Sequence, residues 1–175
     1  DCVVATIMSN AGLEVALNDH GIKLLRTPVG DRYVAERMLS EGAKLGGEQS
    51  GHILLPDLTP TGDGMVTAIR VLREMLITGK SLAELSAILQ PYPQLLEKVK
   101  TIDKTTWETV PEVQNEIQSC KELMTNPDWL SVRASGTENV LRIMVQDKDS
   151  AQVESIMDRL LTVIKKHCAE PSTKA

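Results

Sequence analysis

The 175-residue sequence contains no phenylalanine and only two tryptophans and two tyrosines. Proteins that grip single-stranded nucleic acid do so by stacking bases on several exposed rings, so that class is set aside and nucleic acid is not expected as a partner. Basic charge is short as well: 19 Lys and Arg face 24 Asp and Glu, a net charge of −5. Sequence-independent binding of polyanions needs many cations, so any anion site here must be local. Cysteine is scarce and scattered. Cys2, Cys120 and Cys168 show no CxxC or Cys/His ligand spacing, which fits free thiols in a reducing cytoplasm better than a disulfide framework or a metal site. No apolar run approaches the roughly 20 residues of a membrane-spanning helix, and the first residues have neither the basic flank nor the apolar stretch of a signal peptide. A cytoplasmic protein without a membrane partner is expected. An initiator Met is missing too, and the chain opens directly on a strand-like run, which suggests a piece of a longer protein with upstream parts missing.

With aromatics nearly absent, a core must be assembled from Leu, Ile, Val, Met and Ala. Cys2–Ile7 is a short β-branched run, followed by Ser9-Asn10 as a helix cap, Leu13, Ala16 and Leu17 at helical spacing, and Gly21 as a stop. The cycle repeats with strand Ile22–Thr27, Asp31 as a cap, the stripe Val34, Ala35, Met38 and Leu39, and Gly42 as terminator. A third extended stretch, Lys44–Leu45, enters the polar run Gly46–Gly51, and His52–Leu55 reads as another strand. After Thr61-Gly-Asp-Gly64, Met65, Ala68, Ile69, Leu72, Met75 and Leu76 share one helical face. A capping box at Ser81 and Glu84 opens a short helix through Leu89, and Pro91-Tyr-Pro93 breaks the pattern. The second half predicts strand Leu95–Ile102, a helix capped near Thr109 and running to Leu123, strands Trp129–Ala134 and Val140–Gln146 in a hairpin, and a final helix with Val153, Ile156, Met157, Leu160, Leu161 and Ile164 on one face. The fold class is therefore an α/β domain with a mixed sheet and flanking helices over 1–90, then a small α+β domain over 91–170, with a tail at 171–175.

Most of the chemically suggestive residues have plain explanations. Gly79-Lys-Ser81 lacks the earlier glycine and the preceding strand of a phosphate-binding P-loop, and is accounted for as a helix stop and cap. His20 and His167 lie near helix ends, where a cationic ring suits the dipole. Asp57 and Asp63 lack the alternating carboxylates of a calcium loop, and no metal site is expected. Arg133-Ala-Ser-Gly-Thr-Glu138 with Arg142 is different. Two planar, permanently charged forks flank a loop with hydroxyls and a glycine, a composition suited to cradling phosphate. An ordinary hairpin turn with solvated arginines accounts for the residues equally well. Gly46-Gly-Glu-Gln-Ser-Gly-His52 concentrates a carboxylate, an amide, a hydroxyl and an imidazole; Glu48 and Ser50 suit hydrogen bonds to neighbouring hydroxyls of a sugar, though a polar turn has the same composition. His52 is a candidate proton shuttle, a role that strand histidines fill less often than a structural one.

Together these segments resemble the α-D-phosphohexomutase superfamily, whose members arrange four domains around a cleft. Gly47-Glu-Gln-Ser-Gly51 matches the GE-x-SG loop of the third domain, and Arg133-Ala-Ser-Gly-Thr137 matches the R-x-SGT loop of the fourth. Met8–Leu13, Val29–Val34 and Thr61–Gly64 are most similar to the bacterial phosphoglucosamine mutases within that superfamily. The resemblance covers nearly the whole chain. It implies that Gly47, Glu48 and Ser50 hold the sugar of a phosphosugar substrate, and that Arg133, Ser135, Gly136, Thr137 and Arg142 hold its phosphate. It also implies a reaction through a phosphoserine and a sugar bisphosphate, with Mg2+ as cofactor. The phosphoserine and magnesium loops belong to the first and second domains of such enzymes, and nothing in this sequence matches either. The chain alone is therefore expected to hold substrate and not to turn it over. Asn139 and Gln146 depart from the Pro and Glu that many relatives carry, at positions with no phosphate-holding role.

Overall fold

The computed structural model describes residues 1–169; the tail expected at 171–175 lies outside the described residues. The chain divides into two compact units, the first Asp1–Pro91 and the second from Tyr92 onward.

In the first unit, strand β1 (Cys2–Thr6) leads to helix α1 (Ala11–Asn18), β2 (Lys23–Thr27), α2 (Asp31–Glu41), β3 (Gly46–Gly47), β4 (Ile53–Leu54), α3 (Gly64–Thr78) and α4 (Leu82–Ser86). The sheet order is β2-β1-β3-β4, parallel across the first three strands and antiparallel at the last pair. Its core gathers Val4, Leu25, Val34, Met38, Ala43 and Leu54, aliphatic residues set by the strand and helix periodicities. Local caps fall where their side chains can reach backbone N–H groups. Asn10 accepts from Gly12 N at 2.9 Å, Asp63 accepts from Met65 N and Val66 N, and the Ser81–Glu84 capping box is formed.

Several expectations are corrected. The third strand is Gly46–Gly47 and not Lys44–Leu45; it is an inner strand between β1 and β4, and its backbone passes close beneath α2. A Cβ on Gly46 would lie 2.4 Å from Met38 Sδ and 2.9 Å from Val34 Cγ1, so only glycine fits there. His52 precedes its strand instead of opening it. Helix α2 is capped at Gly30 and not Asp31; Gly30 has φ 138°, open to glycine and strained for other residues, and Asp31 occupies the first helical turn. The next helix ends at Ser86 and not at Leu89. Helix α3 has the expected apolar stripe, yet none of its residues is buried, Met65 remaining 73% and Leu76 84% exposed. The stripe has no cover among the described residues.

In the second unit, β5 (Gln94–Lys100), α5 (Pro111–Leu123), β6 (Leu130–Ala134), β7 (Val140–Gln146) and α6 (Ser150–Cys168) form a three-stranded antiparallel sheet of order β5-β7-β6, with α6 against β5 and β7 and α5 against α6. The central strand β7 is buried along its length except at Arg142. Leu141, Ile143 and Val145 point to one face, and Met144 to the other. Ile156, Leu160 and Ile164 of α6 complete the core, joined by Trp129, an aromatic the aliphatic core did not anticipate. The predicted strand Leu95–Ile102 begins and ends earlier, and α5 is preceded by Val110 with Pro111 at its first position and no side-chain cap from Thr109. Buried Asp147 ties the end of β7 to the segment after α5, accepting from Thr125 N at 2.8 Å and Thr125 Oγ1 at 2.6 Å.

Replacing Gly46 by Ala forces a methyl into the contact between β3 and α2. Overpacking of this kind costs about 1–3 kcal/mol, so urea unfolding of Gly46→Ala should show the first unit destabilised by that amount. An unchanged midpoint would show that α2 yields without cost.

Candidate functional site

The sugar-loop candidates sit at the turn between β3 and β4. Glu48 N donates to His52 O at 2.9 Å and Gly51 N to Glu48 O at 3.0 Å, which folds residues 48–52 into a tight reversal. The Glu48 carboxylate reaches sideways. Its Oε1 accepts from Gly30 N at 2.8 Å, at the mouth of α2, and its Oε2 lies 3.5 Å from Ser50 Oγ. A carboxylate accepting a backbone N–H at a helix entrance is favoured by the dipole as well as by the hydrogen bond. Glu48 is thereby oriented by α2, with Oε2 beside the Ser50 hydroxyl on the open side of the loop. Gly47 lies within the strand, half-buried, while Ser50 is exposed.

His52 turns toward α2, its Nε2 3.7 Å from Asp31 Oδ2. Gly62 lies close to the same ring, where a Cβ would fall 2.3 Å from Nε2. These contacts favour the structural reading of this histidine. Behind the loop lies a cavity of about 320 Å³ bordered by Ser9, Asn10, Leu13, Glu48 and Gln49. Asp31, Gly62 and the Ser9-Asn10 turn were not singled out as site residues from sequence. Their proximity comes from the sheet order, which sets β1 next to β3, and no local pattern encodes it.

The phosphate-loop candidates sit on the β6–β7 hairpin. Arg133 and Arg142 are direct partners across the ladder, and Lys98 on β5 is the partner of Arg142 on its other side. Side chains directly opposite share a face, so Lys98, Arg142 and Arg133 form a row of three cations across the whole sheet. The only carboxylate paired to this row among the described residues is Glu138, whose Oε2 lies 3.0 Å from Arg142 Nη2 and 3.9 Å from Lys98 Nζ. Among the described residues Arg133 has neither an ion pair nor a side-chain hydrogen bond, and the Nε atoms of both arginines are buried without a partner. Burial, and then the neighbouring Arg142 charge, push the Arg133 guanidinium below its usual range. Both causes disfavour charge, and an anion set against the forks would relieve both.

The connecting loop is anchored at each end. Ser135 N donates to Val140 O at 2.9 Å and Thr101 N to Asn139 O at 3.0 Å. Ser135 is buried, whereas Gly136, Thr137 and Glu138 are exposed. Lys104 enters from the segment after β5 and donates from Nζ to Ser135 O at 3.0 Å. Lys98 and Lys104 both escaped the sequence reading, since each approaches the loop from more than 30 positions away. Among the described residues no group of three or more His, Cys, Asp or Glu side chains is placed to hold a metal ion, and no helix is long and apolar enough to cross a membrane.

Residues 1–92 match the family model for phosphoglucomutase/phosphomannomutase, alpha/beta/alpha domain III, and residues 96–163 match that for the phosphoglucomutase/phosphomannomutase C-terminal domain. A phosphoglucosamine mutase of Lacticaseibacillus casei is 46% identical over 165 residues, covering 94% of this chain and 36% of the relative. One from Solidesulfovibrio magneticus is 43% identical, covering 93% of this chain and 36% of the relative. The chain thus spans little more than a third of the length of these curated relatives. A crystal structure of Aspergillus fumigatus N-acetylphosphoglucosamine mutase in complex with GlcNAc-6P and magnesium has the same fold, with a TM-score of 0.78 at 16% identity over 94% of this chain and 38% of that one.

Removing the row's only paired carboxylate leaves the arginine repulsion unopposed. Glu138→Gln should destabilise the second unit by about 0.2–1 kcal/mol, the range for exposed pairs. Because salt screens exposed charges, the deficit should shrink when urea unfolding is repeated at about 1 M salt. A deficit that ignores salt would mean that Glu138 acts through packing alone.

Proposed function

This chain belongs to the phosphoglucomutase/phosphomannomutase family, matching its third and C-terminal domains, and from that premise we propose that it is the substrate-holding portion of a phosphosugar mutase that interconverts glucosamine 6-phosphate and glucosamine 1-phosphate. The observation that carries the reading is the row of three cations with a single carboxylate, set beside a loop whose Gly136 and Thr137 are exposed and whose Ser135 is buried. A dianionic phosphate supplies the missing countercharge. Arg133 and Arg142 offer it forked donors, and Ser135, Gly136 and Thr137 offer hydroxyl and backbone N–H groups. At the other loop, Glu48 keeps one oxygen on Gly30 N–H and presents the other, with Ser50 and the Gly47 backbone, to sugar hydroxyls. The choice of an amino sugar is supported by the relatives matched, which are phosphoglucosamine mutases.

A mutase of this kind must accept its sugar phosphate in two orientations, because the bisphosphate intermediate presents each end in turn to the reacting group. Division of labour between a hydroxyl-binding loop and a phosphate-binding loop serves that requirement: both orientations offer hydroxyls to one and a phosphate to the other. The described residues offer no carboxylate cluster fitted to magnesium and no assigned nucleophile. Following the resemblance to the superfamily, the phosphoserine is assigned to the first domain and the Mg2+ site to the second domain of the full-length enzyme, and that enzyme to the cytoplasm. His52, held against Gly62 and Asp31, is assigned to loop support in preference to proton transfer. The family description itself favours one rival, a phosphoglucomutase or phosphomannomutase acting on neutral hexose phosphates. Rates of the complete enzyme on glucosamine, glucose and mannose phosphates separate the two, and faster turnover of a neutral sugar would reverse the assignment.

Calorimetric titration of the 175-residue chain with glucosamine 6-phosphate should show binding that Arg133→Ala weakens by roughly tenfold or more, the equivalent of one lost charge-assisted contact. Equal affinity of the variant would remove the cradle from consideration. The same chain, lacking an assigned nucleophile and metal, should show no mutase turnover in a coupled assay; measurable turnover would mean that the chemistry lies within it.

A further inference from the structure

We propose that Lys104 is a positioning residue of the phosphate loop, one that aims the Gly136 N–H by holding the Ser135 carbonyl. The proposal rests on the phosphate-loop reading and adds to it a residue outside the Arg133–Thr137 motif. Lys104 Nζ donates to Ser135 O at 3.0 Å across 31 residues of sequence. This carbonyl is the partner of the Lys104 ammonium, which pairs with no carboxylate among the described residues. Elsewhere on the sheet, the exposed lysine Lys98 faces Glu138. A half-buried ammonium bound to a backbone oxygen has a specific task to perform.

The geometry of the peptide unit defines that task. Ser135 C=O and Gly136 N–H belong to one planar trans peptide and point in opposite directions. Fixing the oxygen therefore fixes the line along which the N–H points. Restraint is needed at this spot because Gly136 is exposed and a Cβ there would meet nothing within 4 Å. Packing does not hold the glycine, and its backbone freedom is large. Ser135 is anchored on its own N–H side by Val140 O at 2.9 Å, which leaves the Ser135–Gly136 peptide plane as the first freely turning unit of the loop. Lys104 closes that freedom. A cation on the carbonyl also polarises the shared peptide and strengthens its N–H as a donor.

The root of Lys104 is itself held. Asp103 Oδ1 accepts from Thr105 N at 2.8 Å and Thr105 Oγ1 at 2.7 Å, forming the turn that carries Lys104. Thr101 N donates to Asn139 O, so the segment carrying Lys104 is tied to the far end of the same loop that its side chain grips near the start. The loop is thus braced at both ends from one segment.

The test is a titration of the 175-residue chain, labelled with 15N-glycine, with inorganic phosphate. In the parent chain the Gly136 amide proton should move downfield as it donates to phosphate. In Lys104→Met the phosphate Kd should rise about tenfold, the equivalent of one charge-assisted hydrogen bond, and the Gly136 shift extrapolated to saturation should shrink. The second readout separates aim from charge. Loss of charge alone weakens binding but leaves the saturated shift intact, and that outcome overturns the proposal, as does a Lys104→Met chain that matches the parent in both measures. Lys104→Arg keeps a cationic donor and should retain the Gly136 shift; a folded K104R chain without it also overturns the proposal, and this arm stands even where K104M does not fold. Failure of the underlying reading looks different: a parent chain whose Gly136 amide ignores phosphate removes the phosphate loop itself.

Discussion

Two arginines face each other across adjacent antiparallel strands, and a lysine stands beside them on the third. Like charges directly opposite in a sheet are unfavourable by roughly 0.2–1 kcal/mol, and here the cost is raised by partial burial of both guanidinium groups, whose Nε atoms lack partners. The rest of the second unit is arranged to tolerate this. Apart from Gln146 at its end, strand β7 is otherwise apolar, with Leu141, Ile143 and Val145 packed into a core shared with α6, so the strand that carries Arg142 is held by hydrophobic burial on either side of it. Glu138 offsets part of the repulsion from the exposed edge. The row is a local cost to stability, and an anion set against the two forks would offset it.

The first unit follows the opposite strategy. Its loop concentrates acceptors in place of cations, and its organisation depends on close approach. Gly46 brings the inner strand β3 close under α2, and from there Glu48 reaches the Gly30 N–H while His52 lies near Asp31 and Gly62. Here preorganisation replaces charge. A neutral hydroxyl gains little from a net field but much from an acceptor whose direction is already fixed, since ordering a free side chain on binding would cost about 0.5–1.5 kcal/mol.

How much of this was legible in the sequence divides along the line between local and non-local physics. The caps at Asn10, Asp63 and Ser81 could be read directly, because the acceptor and its N–H lie within three residues. The helices followed from apolar spacing, and the β6–β7 hairpin from two strand-like runs around a short polar loop. The GE-x-SG and R-x-SGT motifs located both loops. What the motifs could not convey was the register. Only the pairing of Arg133 with Arg142, and of Arg142 with Lys98, turns scattered basic residues into a row. The glycines at 46 and 47 look flexible as sequence and are strand in the fold, where a Cβ would collide with Met38 at Gly46 and with the His52 carbonyl at Gly47, so that space and not backbone freedom calls for glycine. Lys104 and Asp31 act on loops remote in sequence, and no periodicity announces such a contact.

The apolar face of α3 completes the contrast. Its stripe of Met65, Ile69, Leu72 and Leu76 is as regular as that of α6, yet α6 is buried and α3 is exposed. Periodicity encodes that a face is fit for burial, and a partner must then be brought to it by topology. For α6 the antiparallel sheet lies in the same unit and supplies one. Nothing in the described residues does so for α3. Two helices with equivalent patterns therefore differ in fate for a reason that no single helix contains. The same logic governs the two loops, whose surroundings are set by the neighbours that the fold brings beside them.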